Sequence, residues 1–366
     1  MFSFNHYVPV LKWKRGEQKA LEYLEPSLKN NITPLIEIPP IPWDYNNDIP
    51  QKTIDKYLEN IGSDVKKAWN HDSPIFVDPS PLWKEEEHPY VNDEHLVLYI
   101  IKQIVSEGTL AIPVTGFNKE PDYQEAIQES LKYSNNRLCI RIEDDDFDEL
   151  EFRLNNLLEE FSLNPENIDL IIDFGFINPK DENRTLMSLK GILATLPYIN
   201  EWNTLTFSGT SFPENLSDIP TGEIKKIPRT EWNIYKKIVS EKNLFKRIPA
   251  FGDYNISNPE YIDFDPRTMT MSANIRYTVK DGFLIFRGYS VKKHQWSQTR
   301  ELSQQVVKHP EYYGQNFSYG DEYIYKCSLG EEGTGNAEIW RRVGANHHLT
   351  LVIHDLSNLH APSNIR

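Results

Sequence analysis

Short apolar stretches recur along the first two thirds of the chain, and each ends at a polar residue, a glycine or a proline. These stretches are rich in β-branched and aromatic residues, which favour extended strands. The pattern predicts eight strands, over residues 7–12, 33–38, 74–78, 110–115, 138–143, 169–173, 204–208 and 247–251. Strands that are apolar along their whole length are typical of a parallel sheet covered on both faces.

The segments between these strands carry apolar residues at positions i, i+3 and i+4, which is the spacing of one helix face. They predict helices over residues 16–24, 52–69, 93–107, 122–134, 147–161, 183–196 and 230–243. One strand and one helix recur about every 34 residues, as in a (β/α)8 barrel of about 250 residues. An open doubly wound sheet is the alternative, but residues 12–16 after the first strand (KWKRG) lack its glycine fingerprint. We therefore predict a TIM-type barrel over residues 1–254.

The pattern changes beyond residue 254. Two strand-like runs flank Lys280-Asp281-Gly282, and Asp-Gly is a strong signal for a hairpin turn. Helices are predicted over 296–308 and 336–343, and the alternating apolar residues of 347–353 predict a last strand. We interpret residues 255–366 as a C-terminal hairpin and α+β elaboration packed on the barrel.

Several segments resemble the beta protein family of phages and bacteria, and together they extend over almost the whole chain. They are residues 7–17 (YVPVLKWKRGE), 34–37 (PLIE), 286–288 (FRG), 317–321 (FSYGD) and 335–349 (GNAEIWRRVGANHHL). The family has no settled biochemical activity, and its bacterial members tend to lie beside phage-defence or mobile-element genes. The resemblance therefore implies a genomic context and a protein partner encoded nearby, and it supplies no catalytic residue.

The composition of the chain argues against several classes of protein. The chain has a formal net charge of −15 and a pI near 5.2, which argues against bulk binding to nucleic acid or to anionic membranes. Its two cysteines, Cys139 and Cys327, are far apart and have no metal-ligand spacing. Residues 1–15 do not resemble a signal peptide, and no run of 18 apolar residues occurs. We expect a cytoplasmic protein.

Polar residues at the carboxyl ends of the strands mark the candidate site, because ligands bind at that end of such barrels. They are Lys12, Lys14, Glu37, Asp78, Thr115, Arg141, Glu143, Asp173, Ser208 and Asp253. Charges within apolar strands are costly to bury unless they are paired, so Glu37, Arg141 and Asp173 should point into the barrel and toward one another. They could form a mouth that holds a divalent cation, moves protons and binds an anion, or a self-compensating layer of ion pairs without chemistry.

A second group of basic residues lies in the C-terminal region. It comprises Arg287, Lys292, Lys293, His294, Arg300, Arg341, Arg342, His347 and His348. In an acidic chain this local excess either binds a phosphate or an acidic partner, or is a solvated helix face. We expect Arg287 to reach the mouth from the hairpin and to matter more for binding than for folding. On a strand, His347 and His348 would face opposite sides and could not easily share a metal.

Two functions are compatible with these residues, because no complete catalytic motif is present. The first is a binding component of a phage-defence or mobile-element system that recognises a partner protein or a small anionic ligand at the mouth. Its predicted ligand-binding residues are Lys12, Lys14, Arg141, Arg287, His347 and His348. The alternative is a metal-assisted enzyme acting on phosphoesters or nucleotides, with Mg²⁺ or Mn²⁺ and the candidate catalytic residues Glu37, Asp78 and Asp173.

Overall fold

Eight parallel strands close into a barrel. The structure, a computed structural model, describes residues 2–143, 146–262 and 264–360. The barrel strands are β1 (Tyr7–Lys12), β2 (Leu35–Glu37), β3 (Ile75–Asp78), β4 (Ala111–Thr115), β5 (Leu138–Glu143), β6 (Ile168–Phe176), β7 (Thr204–Thr210) and β8 (Ala250–Asp253). Around the barrel they pair in the order β1-β8-β7-β6-β5-β4-β3-β2. The predicted TIM-type barrel is confirmed.

Helices follow the first seven strands and cover the barrel. Their bounds are Arg15–Glu22 and Pro26–Lys29 after β1, Ile54–Leu58 and Ile61–Trp69 after β2, Ser80–Trp83 and Leu96–Ser106 after β3, Pro121–Ser130 after β4, Leu150–Phe161 after β5, Glu182–Thr195 after β6 and Thr230–Ser240 after β7. Each longer helix buries one apolar stripe; Leu186, Leu189 and Leu193, for example, lie on one face and pack in the core.

Helix Ala337–Leu359 is the barrel helix that belongs to the eighth strand, β8. The sequence prediction for this segment was wrong. Residues 347–353 are not a strand but the middle of this helix, which also includes most of the predicted helix 336–343. Buried residues run without interruption from Val343 to Ile353, so the helix is covered on all sides. A helix buried all round shows no amphipathic stripe, and alternating leucines then imitate a strand.

The predicted hairpin is present between β8 and this last helix. Its strands, Ser272–Val279 and Gly282–Ser290, pair antiparallel, and strand Ile224–Pro228 from the segment after β7 adds a third. A Cβ at position 282 would lie 2.7 Å from the carbonyl oxygen of Ile227, so this close approach requires glycine. Three helices accompany the sheet: Val291–His294, Thr299–Lys308 and Tyr319–Leu329.

The last helix contacts two hydrophobic cores. Trp340 and Val343 belong to the core of the three-stranded sheet, whereas Leu349 and Val352 belong to the core of the barrel. The division of the chain at residue 254 stays a prediction, since this one helix links the two parts. The loops of the barrel also contain two short hairpins, formed by Trp43–Asp44 with Ile49–Pro50 and by Tyr90–Val91 with Glu94–His95. None of the described helices is both long and apolar enough to cross a membrane.

Candidate functional site

The ends of the first three strands lie level with one another at the barrel mouth. Lys12 stands opposite Glu37, and Glu37 stands opposite Asp78, in the register of β1, β2 and β3. Side chains alternate along a strand, so these three charged residues point to the same face of the sheet. The apolar residues before them on that face, such as Val10 and Leu35, fill the barrel below.

Arg141 of β5 connects three strand-end carboxylates. Its Nη1 donates to Glu37 Oε1 at 2.9 Å and to Asp78 Oδ2 at 2.8 Å, and its Nε donates to Asp173 Oδ2 at 2.8 Å. All four side chains are buried, with the arginine 6% exposed. The structure therefore brings together the predicted cluster and adds Asp78 to it. We call these four residues the ionic floor.

Two tyrosines that the sequence analysis missed complete the floor. Tyr254 accepts a hydrogen bond from Arg141 Nη2 at 2.5 Å and donates one to Asp173 at 2.7 Å. Tyr261 donates to Glu37 Oε2 at 3.0 Å, and Lys12 Nζ lies 4.0 Å from the centroid of its ring. Tyr254 directly follows β8 and continues its alternation into the barrel. Tyr261 lies in a loop, where no periodic pattern could have indicated its position.

The carboxyl groups of the floor are not equivalent. Burial raises the pKa of Glu37, although the Arg141 charge opposes this shift. The pKa of Asp78 is lowered, because Arg141, Lys119 and hydrogen bonds from Ser80 outweigh the effect of its burial. Of these two carboxyl groups, Glu37 is thus the weaker acid. The carboxylates also hold the guanidinium in its charged form.

The guanidinium occupies the centre of the carboxylates, where a metal ion would have to lie. Across residues 2–143, 146–262 and 264–360, no group of three or more His, Cys, Asp or Glu side chains is arranged to hold a metal ion. With its acidic oxygens already accepting hydrogen bonds from Arg141, the floor does not offer Mg²⁺ or Mn²⁺ the free carboxylate ligands that these ions prefer.

A cavity of about 500 Å³ lies above the ionic floor. Its aromatic and proline lining consists of Phe174, Phe176, Tyr254, Tyr261, Pro40, Pro81 and Pro259. Its charged lining consists of Glu37, Glu85, Glu143, Asp173 and Glu260 against Lys84 and Arg141. Five carboxyl groups face two cations, so the mouth is acidic as well as aromatic. We call this space the mouth cavity.

Comparisons with known proteins agree with the resemblance seen in the sequence. The sequence profile of the Beta protein family matches residues 7–354. The chain belongs to the beta protein family. Among solved structures, this family member is similar to triosephosphate isomerase from Bartonella henselae, with 13% sequence identity and a TM-score of 0.34 over 68% of this chain and 92% of that chain. No curated protein matches it.

The structure does not place Arg287 at the mouth of the barrel. Its guanidinium donates to Ser272 Oγ and to the backbone carbonyl oxygens of Leu216, Ser217 and Ile219. Arg287 lies on strand Gly282–Ser290, the central strand of the hairpin sheet, where it pairs with Asn274, and it does not line the mouth cavity. The expectation that it bridges hairpin and mouth was wrong, because its side chain is engaged in anchoring the loop at 216–219.

The two neighbouring histidines are also remote from the mouth cavity of this family member. His347 and His348 are fully buried on the last helix, where they contact Asp321 at 2.8 Å and Asp253 at 2.9 Å. Asp253 ends β8 but points outward, and it accepts a hydrogen bond from Tyr7 at 2.5 Å. We call Tyr7, Asp253, Asp321, His347 and His348 the outer network. Of the other predicted residues, Lys14 lines a different cavity, Thr115 donates to Gln124 and Ser208 is buried.

Proposed function

We propose that this protein is a binding component of a phage-defence or mobile-element system and that its mouth cavity recognises a partner protein. The observation that carries the proposal is the ionic floor. Arg141 donates hydrogen bonds to Glu37, Asp78 and Asp173, so the carboxylates that catalysis would need are already engaged with its guanidinium. An open cavity above a fixed floor is suited to recognition.

The charge of the mouth cavity indicates which chemical group it recognises. Five carboxyl groups against two cations repel an anion and attract a positively charged group. The aromatic rings of Phe174, Phe176 and Tyr261 can cover the apolar stem of such a group. We therefore infer that the occupant is a lysine or arginine side chain of the partner.

The alternative function is a metal-assisted enzyme acting on phosphoesters or nucleotides. It would require Glu37, Asp78 and Asp173 to exchange the Arg141 guanidinium for Mg²⁺ or Mn²⁺. That exchange removes a buried cation from three buried carboxylates, which is costly unless the metal replaces every contact. The geometry therefore favours binding over metal-assisted catalysis.

Removal of rim carboxylates tests the proposal. Tagged protein isolated from its native cells is expected to retain a specific partner, and the double variant Glu85→Gln/Glu143→Gln should retain at least about tenfold less of it, since two charge-assisted contacts are lost. The matched control is Glu159→Gln/Glu166→Gln, which removes the same charge from exposed positions outside the mouth cavity. Quantitative mass spectrometry measures the retained partner.

Two outcomes would contradict the proposal. Retention that is equal in both double variants would show that the mouth cavity does not bind the partner. Turnover of nucleotides with Mg²⁺ or Mn²⁺ that is lost in Asp173→Asn would establish the enzyme instead.

A further inference from the structure

A second cavity, of about 400 Å³, lies beside the mouth cavity and is richer in cations, with five basic side chains against four carboxylates. It is enclosed by the start of helix Arg15–Glu22, the hairpin and the start of helix Ala337–Leu359, and it shares Glu260 and Tyr261 with the mouth cavity, whereas Lys12 lines the side cavity alone. Its cationic lining consists of Lys12, Lys14, Arg15, Arg276 and Arg341. We call it the side cavity.

Two guanidinium groups line the side cavity close to each other. Arg276 donates from Nη1 to the carbonyl oxygen of Ile256 at 2.8 Å, and Arg341 donates to the same oxygen at 3.1 Å and to Ser257 Oγ at 2.8 Å. Among the described residues, Arg276 has no carboxylate within ion-pair distance; its remaining hydrogen bond goes to the amide oxygen of Asn274. Burial and the neighbouring Arg341 lower the pKa of Arg276, and the charge of Glu17 opposes this shift only in part.

In the part of the chain that the structure describes, none of the carboxylates around the side cavity forms a direct ion pair with Arg276. They are Glu17, Glu214, Glu260 and Glu338, and Glu338 lies 3.3 Å from Arg342, outside the lining. Glu17 is 4% exposed, and its Oε1 lies 3.5 Å from Arg341 Nε. Its Oε2 is buried and accepts no hydrogen bond from any described residue. The cavity therefore contains a guanidinium, that of Arg276, without a directly paired carboxylate. It also contains a carboxylate oxygen, Glu17 Oε2, without a hydrogen-bond donor among the described residues.

The start of helix Arg15–Glu22 adds to the positive potential. Lys14 precedes this helix and gives it no side-chain cap, so the partial positive charge of the first turn is directed to the lining. Gly16 brings that turn close to Arg341, because a Cβ there would lie 2.6 Å from Arg341 Cγ. Any larger residue would displace the guanidinium from the helix start.

We propose that the side cavity binds the oxyanion of a small phosphorylated or carboxylated ligand that also carries a hydroxyl group. Arg276, Arg341 and Lys14 bind the oxyanion, since guanidinium groups match phosphate and carboxylate in geometry and charge. The free oxygen of Glu17 accepts a hydrogen bond from the ligand hydroxyl. This proposal does not rest on the recognition of a partner at the mouth cavity.

Calorimetric titration of the full-length protein with three probes tests the assignment. Ribose 5-phosphate is expected to bind saturably and more tightly than inorganic phosphate, because it can donate a sugar hydroxyl to Glu17 while a separate phosphate group binds the arginines; citrate, which has both carboxylates and a hydroxyl, tests whether a carboxylate can replace the phosphate. Arg276→Gln should weaken binding of ribose 5-phosphate by about tenfold or more, and the exposed Lys14→Gln by about threefold. Arg184→Gln, which removes an exposed arginine outside the cavity, should leave it unchanged.

Lys14→Gln keeps the test decisive if Arg276→Gln fails to fold, since position 14 is exposed. Absence of saturable binding for all three probes would overturn the proposal, as would equal affinities in Lys14→Gln and Arg184→Gln. Glu85→Gln/Glu143→Gln separates the two sites, because both residues line the mouth cavity and neither lines the side cavity. Loss of the partner with phosphate binding intact supports each site, whereas intact partner binding contradicts only the proposal for the mouth cavity.

Discussion

The ionic floor and the outer network are both built from buried charges, yet they differ in what they face. The floor places Arg141 beneath an open cavity, and Glu37 and Asp173 line that cavity. The outer network is fully buried between β8, the hairpin and the last helix, with His347 and His348 at 0% exposure. Burial of charge alone therefore does not indicate a binding site; adjacent open space does.

Hydrogen bonding within the outer network supports a structural role. His347 contacts Asp321 through Nδ1 and the carbonyl oxygen of Thr278 through Nε2, at 2.8 and 2.7 Å. His348 contacts Asp253 and the hydroxyl of Thr278. Both imidazoles are thus satisfied on both ring nitrogens, and each joins the last helix to the hairpin. Nothing is left over with which they could bind a ligand.

Removing the cation of the floor should have the largest effect on stability. Arg141→Met leaves three buried carboxylates without their common partner, and we expect a loss of about 3–5 kcal/mol in the free energy of unfolding. Urea denaturation measures it. The control Arg153→Met removes a half-buried arginine paired with Asp146 at 3.1 Å and should cost about 0–1 kcal/mol. Equal losses in the two variants would show that the floor is not a coupled unit.

Asp253→Asn should destabilise the protein less, by about 2–3 kcal/mol, because it weakens charge-assisted hydrogen bonds with Tyr7 and His348 but leaves no unpaired charge. His348 and Tyr7 hold the pKa of Asp253 below its usual value despite its burial. The carboxylate therefore stabilises the fold above pH about 3.8, and this contribution is lost as the pH falls further.

Urea denaturation at neutral and acidic pH measures both parts of that prediction. The variant should lose less stability on acidification than the wild type, and its binding at the mouth cavity should be unchanged. The exposed Asp55→Asn is the control. Impaired binding in Asp253→Asn at full stability would place the outer network in the site and abolish the contrast with the floor.

Arg287→Ala should have the smallest effect, about 1–2 kcal/mol, since it releases the loop at 216–219 from a side chain that is itself only partly buried. Thermal denaturation measures the loss, and Arg184→Ala is its exposed control. Partner binding should be unaffected. Weaker binding without a lower melting temperature would restore Arg287 to the binding surface.

The parts that the sequence predicts well are those with a strong local signal. Eight apolar strands at a regular spacing indicate the barrel, and charges that interrupt such strands identify Glu37, Arg141 and Asp173. The outward direction of Asp253 escapes detection, because it depends on a helix almost a hundred residues later. His347 and His348 were misplaced because a helix buried on all sides has no polar face. Arg276 was missed since its neighbours come from three distant segments.

The position of the last helix has a consequence for how the molecule folds. Helix Ala337–Leu359 covers β1 and packs against helix Arg15–Glu22, and Asn346 donates to the carbonyl oxygen of Ala20. Segments more than 300 residues apart therefore share one core, and contacts of such high sequence separation form slowly. During synthesis β1 leaves the ribosome long before the last helix does. Part of its apolar surface therefore stays uncovered until that helix has been made. Covering of the first strand is thus a late event, and its exposed apolar surface favours aggregation until then.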